Sequence, residues 1–261
     1  MSLRGKWACI LGASSGFGKA CALELASHGM NIWGVHLDRK ATMPDVEDFI
    51  KTLKSKKIEV HFFNINASDE ENRKTTVSKM KTLIGQNSVK VFLHSLAFGT
   101  LKEYFSQSDS QLTTAQMNMT VDVMAHSLVY WVQDLWNEKL LKNGSKIYAM
   151  TSAGGERVWP TYGAVSAAKA ALESHIRQIA VELAPYGISA NALRAGVTDT
   201  PALRKIPGHE KMIEFCKEKS PTKKLTTPED VAIHLRALSE PDNAWLTGNV
   251  IGIDGGENIL G

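Results

Sequence analysis

The apolar run Trp7–Gly12 leads directly into Gly12-Ala-Ser-Ser-Gly16-Phe-Gly18, and a helical pattern over 16–28 starts inside that turn. This strand, glycine turn and helix constrain the fold more than any other feature of the chain. Gly12 permits the tight turn. Gly16 lets an anion approach backbone N–H groups at the helix N-terminus, where the helix dipole favours negative charge. Gly18 lets the helix pack close to the strand. The spacing G-x3-G-x-G is one residue longer than the commonest dinucleotide fingerprint. Ser14, Ser15 and Phe17 are the remaining candidates for contact with a dinucleotide in this turn.

The same alternation continues along the chain. Further strand patterns cover 31–37, 58–66, 89–96, 145–152, 188–196 and 249–256. Helical patterns cover 45–57 and about 69–84, then a long aromatic-rich stretch within 111–140. Another runs from Tyr162 to about Pro185, and the last covers 228–239, begun by Thr227-Pro228-Glu229-Asp230 with its capping residue, proline and acids. Repeated strand–helix–strand units predict an α/β fold: a Rossmann-like, doubly wound parallel sheet of about seven strands with helices on both faces. Ligands in such sheets bind beyond the strand C-termini. No linker, repeat or low-complexity tract divides the 261 residues, so a single dinucleotide-binding domain over 1–261 is expected.

Composition excludes several classes. A net charge of +3 does not argue for nucleic acid. No stretch reaches the roughly 18 apolar residues of a membrane span, and the N-terminal apolar run lacks a signal-peptide cleavage pattern. Cys9, Cys21 and Cys216 are odd in number and lack metal-ligand spacing, which fits reduced thiols in a cytoplasmic protein and predicts no metal site.

The run TYGAVSAAKAALES, 161–174, reads as helix and carries Tyr162 and Lys169. Seven residues are two helical turns, so both side chains project the same way. A phenol beside an ammonium is a proton donor whose pKa the charge would lower. With the glycine turn, the pair suggests carbonyl polarisation beside a nicotinamide cofactor.

The glycine turn, the Tyr–Lys helix, the glycine after the sixth strand and the final Asp254-Gly-Gly together resemble the short-chain dehydrogenase/reductase family over nearly the whole chain. Most members space the tyrosine and lysine by four. Here Ser166 holds that position, and the longer spacing resembles the divergent branch of enoyl-[acyl-carrier-protein] reductases. HSLAFG (94–99), GGERVWPTYGAVSAAKAALES (154–174) and SPTKKLTTPEDVA (220–232) are similar to stretches of that branch.

The resemblance implies an NAD(P)H-dependent enoyl-thioester reductase of fatty-acid biosynthesis. In it Tyr162 stabilises the enolate, and Lys169 binds the nicotinamide ribose and keeps Tyr162 acidic. It also implies that Ser95, Leu96 and Ala97 line the cofactor and that Asn66 and Ala67 lie on the adenine side. Gly196, Val197 and Thr198 would meet the nicotinamide carboxamide, and Thr200 would reach toward the pyrophosphate. Two residues point to a carbonyl or 3-ketoacyl reductase as the alternative. Ser152 replaces a second tyrosine of many enoyl reductases, and Asn118 aligns with a proton-relay asparagine of ordinary family members. In that case Ser152 or Thr151 would join Tyr162 on the substrate oxygen.

The end of the second strand gives mixed cofactor signals. His36 holds the expected acidic position, and Asp38 lies two residues on. Arg39 and Lys40 suit a 2′-phosphate, yet Ser15 stands where many NADP-dependent members have arginine. NAD and NADP both remain open. Residues 197–224 form a long connection read as a substrate lid. Its apolar residues, among them Leu203, Ile206, Met212 and Phe215, suit an acyl chain. Its basic residues, among them Arg204, Lys205 and Lys211, suit an acidic carrier protein or coenzyme A. The family resemblance further implies a homotetramer built on the Tyr162 helix and the helix with Tyr130, Trp131 and Trp136.

Overall fold

The computed structural model describes residues 3–107 and 111–259. Seven parallel strands form one sheet: β1 (Trp7–Leu11), β2 (Asn31–His36), β3 (Val60–Asn64), β4 (Val89–His94), β5 (Leu141–Ser152), β6 (Ser189–Ala195) and β7 (Val250–Ile253). Their order is β3-β2-β1-β4-β5-β6-β7, the expected doubly wound arrangement. The order reverses between β1 and β4, so their C-terminal ends open a crevice.

Strand alternation assigns the two faces. Trp7, Cys9 and Leu11 of β1 join one core. That core receives α3 (Glu70–Ile84), α5 (Ser127–Asn137) and α6 (Gly163–Leu183) through Met80, Trp131 and Leu172. Ala8 and Ile10 join the other, which receives α1 (Gly16–Ser27), α2 (Met43–Lys54) and α8 (Pro228–Ser239) through Leu25, Leu53 and Leu235. All three cysteines are free and buried. Among the described residues, no helix is long and apolar enough to cross a membrane.

β5 starts at Leu141 instead of 145, and two further elements differ from the sequence expectation. β7 ends at Ile253 instead of running to 256, because Gly255 and Gly256 take positive φ values of 60° and 85° and turn the chain away. The stretch within 111–140 is not one helix. A capping box of Thr113 and Gln116 starts α4 (Thr114–Val121). A π-helical turn follows over Asp122–His126, and then α5. Ser127 explains the irregularity: its Oγ donates to the Val123 carbonyl at 2.8 Å and meets buried His94 Nε2 at 2.8 Å. Such back-bonding bends helices, and π turns mark places where a helix is re-aimed.

Candidate active site at the strand C-termini

The glycine turn has the expected construction. Gly12 has φ 80°, and a Cβ there would lie 2.3 Å from the Ser95 carbonyl oxygen. The turn and the end of β4 therefore touch backbone to backbone, and Ser95 N–H donates to Leu11 O at 3.0 Å. A Cβ on Gly18 would lie 2.1 Å from Gly12 O. Ser15 caps α1 in extended conformation, with no side-chain cap bond and no acid in the first turn. The first N–H groups of α1 thus face the crevice, a cradle suited to a pyrophosphate. Phe17 packs on the α1-side core, and Leu96 packs against the opposite core. Ala97 is exposed.

At the end of β2, His36 is buried and its Nδ1 lies 2.9 Å from Asp38 Oδ2. His36 therefore helps position Asp38, the acid two residues on. Burial pushes the Asp38 carboxyl up. Hydrogen bonds from Ser14, His36 and Thr42 and the His36 charge outweigh that and hold it below its ordinary value. Arg39 and Lys40 are exposed beside it. Asn66 is exposed, with Oδ1 accepting from Ser68, and the Ala67 carbonyl accepts from Trp131 Nε1 at 2.8 Å.

Tyr162 and Lys169 share one side of the site. Tyr162 caps α6 with φ −89°, and Lys169 lies within the helix. The turn Ala153–Gly155 after β5 lies against both. A Cβ on Gly154 would be 2.4 Å from Tyr162 Cε1, and one on Gly155 would be 3.5 Å from Lys169 Cβ. Ser152 Oγ is 3.4 Å from Tyr162 Oη. Thr151 points to the other side of β5 and donates to Glu173 Oε1 at 2.6 Å, so Ser152 alone of the two serves the phenol. Thr161, just before the phenol, has φ 65°, a strained value for a β-branched residue.

The electrostatics correct one expectation. Burial raises the Tyr162 pKa, only partly offset by the Ser152 hydrogen bond, and the lysine does not lower it. Lys169 is buried and donates to the Met150 carbonyl at 2.7 Å. Burial lowers it to about 8 against the opposing pull of Glu173. His94 is driven down to about 3 by burial and by the Lys169 charge, so it is neutral.

Asn118 lies elsewhere. It is exposed on α4 and lines an outer cleft with Asp122 and His126, each four residues further along the same face. Two residues are about 200° around a helix, so Thr120 takes the inner face, where its Oγ1 accepts from Thr100 N–H at 2.9 Å. Buried Met124 follows it inward. Asn118 therefore does not join the Tyr162 group.

At the end of β6, Thr200 packs against Gly16, and Thr198 donates to Gly196 O at 2.9 Å. The Val197 N–H donates to Glu257 Oε2 at 2.9 Å. Glu257 was missed in the sequence because 60 residues separate the pair. Its carboxylate also faces the buried Cys216 thiol, which burial and Glu257 push up to about 12. Cys216 belongs to α7 (His209–Lys219), so the segment read as a lid contains an ordered helix. Leu203 and Ile206 are buried, while Phe215 is exposed. Arg204 is engaged by Asp199 at 2.7 and 2.9 Å.

The family model for Enoyl-(Acyl carrier protein) reductase matches residues 12–258. The chain belongs to this family. The NADH-dependent enoyl-[acyl-carrier-protein] reductase of Escherichia coli is 29% identical over 64% of this chain and 63% of its own length. The chain thus spans less than two thirds of that relative. The 1-cyclohexenylcarbonyl-CoA reductase of Streptomyces collinus is 35% identical over 47% of this chain and 44% of its own length. The crystal structure of the Aquifex aeolicus enoyl-[acyl-carrier-protein] reductase (NADH) superposes with a TM-score of 0.83 at 25% identity, covering 100% of this chain and 99% of that one.

Proposed function

We propose that this protein reduces the carbon–carbon double bond of an enoyl thioester with a reduced nicotinamide cofactor. The observation that carries the reading is the placement of Tyr162 and Lys169, seven residues apart, against the Gly154–Gly155 turn after β5, with Asn118 turned to the outside. That combination supports the enoyl branch, because the asparagine of a carbonyl-reductase proton relay is not at the site.

A reduced nicotinamide cofactor held in this crevice would supply hydride to the β-carbon. Gly12, Gly16 and the α1 N-terminus would hold its pyrophosphate, with Thr200 beside them. The raised pKa keeps Tyr162 protonated at neutral pH, so its Oη donates a hydrogen bond to the thioester carbonyl oxygen. That bond strengthens as the oxygen takes on enolate charge, which is where it lowers the barrier. Lys169, held by the Met150 carbonyl, would bind the nicotinamide ribose. Asp38, ionised and held at the end of β2, favours the free ribose hydroxyls of NADH and repels a 2′-phosphate. A homotetramer in the cytoplasm, acting on acyl chains carried by acyl-carrier protein or coenzyme A, completes the reading.

Ser152 supports a second reading. Its Oγ beside Tyr162 Oη is the pair a carbonyl reductase would use on a ketone oxygen. Oxidation of NADH by an enoyl thioester, run beside the matching 3-ketoacyl thioester, separates the two. Turnover of the keto substrate alone overturns the proposal.

A further inference from the structure

The opposite end of the sheet holds a second polar cavity. The pairing of β5 with β6 begins there, with Lys146 opposite Ser189 and Tyr148 opposite Asn191. These four line a cavity of about 100 Å³ with Asn243 and Leu246, beneath α8. Lys146 precedes Ser152 by six residues on one strand, about 20 Å along it. The cavity is therefore remote from the phenol and from the glycine turn.

Its charges do not balance. The register of β4 shifts between Val89 and Val91, at Lys90. Lys90 Nζ is buried and donates to Asp242 Oδ1 and to Gly144 O, both at 2.6 Å. Lys6 Nζ lies 3.5 Å from the same Asp242 oxygen. Lys146, only 4% exposed, donates to the Asn243 carbonyl and has no ion-pair partner among the described residues. Two ammonium groups thus share the Asp242 carboxylate, and buried Lys146 has no carboxylate within ion-pair distance among the described residues. Buried charge is normally paired. Burial and the Lys90 charge push Lys146 down to about 8 against the weaker opposing pull of Asp242. Ser189 Oγ, on a residue 1% exposed, has no hydrogen-bond partner among the described residues. A surplus cation and an unused hydroxyl face one small space.

We propose that this cavity binds a small oxyanion, held by the Lys146 ammonium and the Ser189 hydroxyl. Inorganic phosphate and a short carboxylate share the required chemistry, and a cavity of about 100 Å³ has room for several water-sized groups. Leu246 gives a short carboxylate an apolar wall.

The test is thermal unfolding of the full chain with NADH present, so that phosphate at the glycine turn is suppressed. Wild type, Lys146→Gln and Ser189→Ala are compared in phosphate, acetate and chloride at one ionic strength. The expected result is a wild-type midpoint about 3 °C higher at tenfold the half-saturating oxyanion than in chloride, with the rise lost in both variants. A rise in phosphate alone assigns an inorganic anion, and a rise in acetate assigns a carboxylate. Ser189→Ala deletes one hydroxyl and keeps the comparison sound should Lys146→Gln not fold. No rise over chloride in wild type, as for a cavity holding only water, overturns the proposal. An equal rise in wild type and Ser189→Ala also overturns it.

Discussion

Tyr162 Oη faces Ser152 Oγ at 3.4 Å, while the Lys169 ammonium is turned to the Met150 carbonyl. Phenol and lysine therefore have separate partners, and burial sets the phenol's acidity. Tyr162→Phe should leave NADH affinity within about threefold and lower kcat by about 10²-fold or more, the loss of a positioned donor at a developing oxyanion. Fluorescence titration of NADH and steady-state rates with an enoyl thioester measure the two effects.

Glu173 is a positioning residue for Lys169. It stands one turn after the lysine, is held by Thr151 and opposes the burial that lowers Lys169 to about 8. Turnover that needs charged Lys169 should fall as pH rises through about 8. In Glu173→Gln the fall should come at lower pH while Km for the thioester holds. The stability consequence has the opposite sign. Lys169 binds its proton less tightly folded than unfolded, so this group makes stability rise with pH between about 8 and the ordinary lysine value. Denaturant midpoints across that window, compared with Lys169→Met, show whether the rise belongs to this residue.

Much of the fold was legible in the sequence, because buried parallel strands and glycine turns leave short apolar runs with clear punctuation. The glycine turn and the strand–helix alternation of a doubly wound parallel sheet are written in the spacing, while the strand order comes from the tertiary fold. Asn118 misled because an alignment position does not state a helix face, and the π turn at Asp122–His126 has no periodic signal of its own. Glu257 meets Val197 only through the tertiary fold. Glu173 was visible: an acid four residues after a buried lysine shares its helix face.

Gly18→Ala tests the cradle. Its Cβ would meet the Gly12 carbonyl at 2.1 Å, a backbone atom that cannot rotate away. The variant should lose about 1–3 kcal/mol in urea unfolding, the usual result of overpacking, and NADH affinity should fall with it. Unchanged stability and affinity would mean that α1 can shift freely against β1.

Asp38→Ala tests cofactor choice. Removing the carboxylate should weaken NADH by about tenfold, the loss of a charge-assisted hydrogen bond to the ribose, and narrow its advantage over NADPH. Paired Km measurements with the two cofactors decide it. An unchanged ratio would assign Asp38 to the structure of the Ser14–His36–Thr42 group alone.

The most direct measurement follows the transferred hydrogen. The protein is given NADH deuterated at the transferable position, with a crotonyl thioester in one reaction and the 3-ketobutyryl thioester in another, and the products are read by NMR. The account predicts a saturated butyryl product with deuterium on the β-carbon and no turnover of the keto thioester. Deuterium on a hydroxyl-bearing carbon, with the crotonyl thioester untouched, would contradict it and move the chemistry to Ser152 and Tyr162.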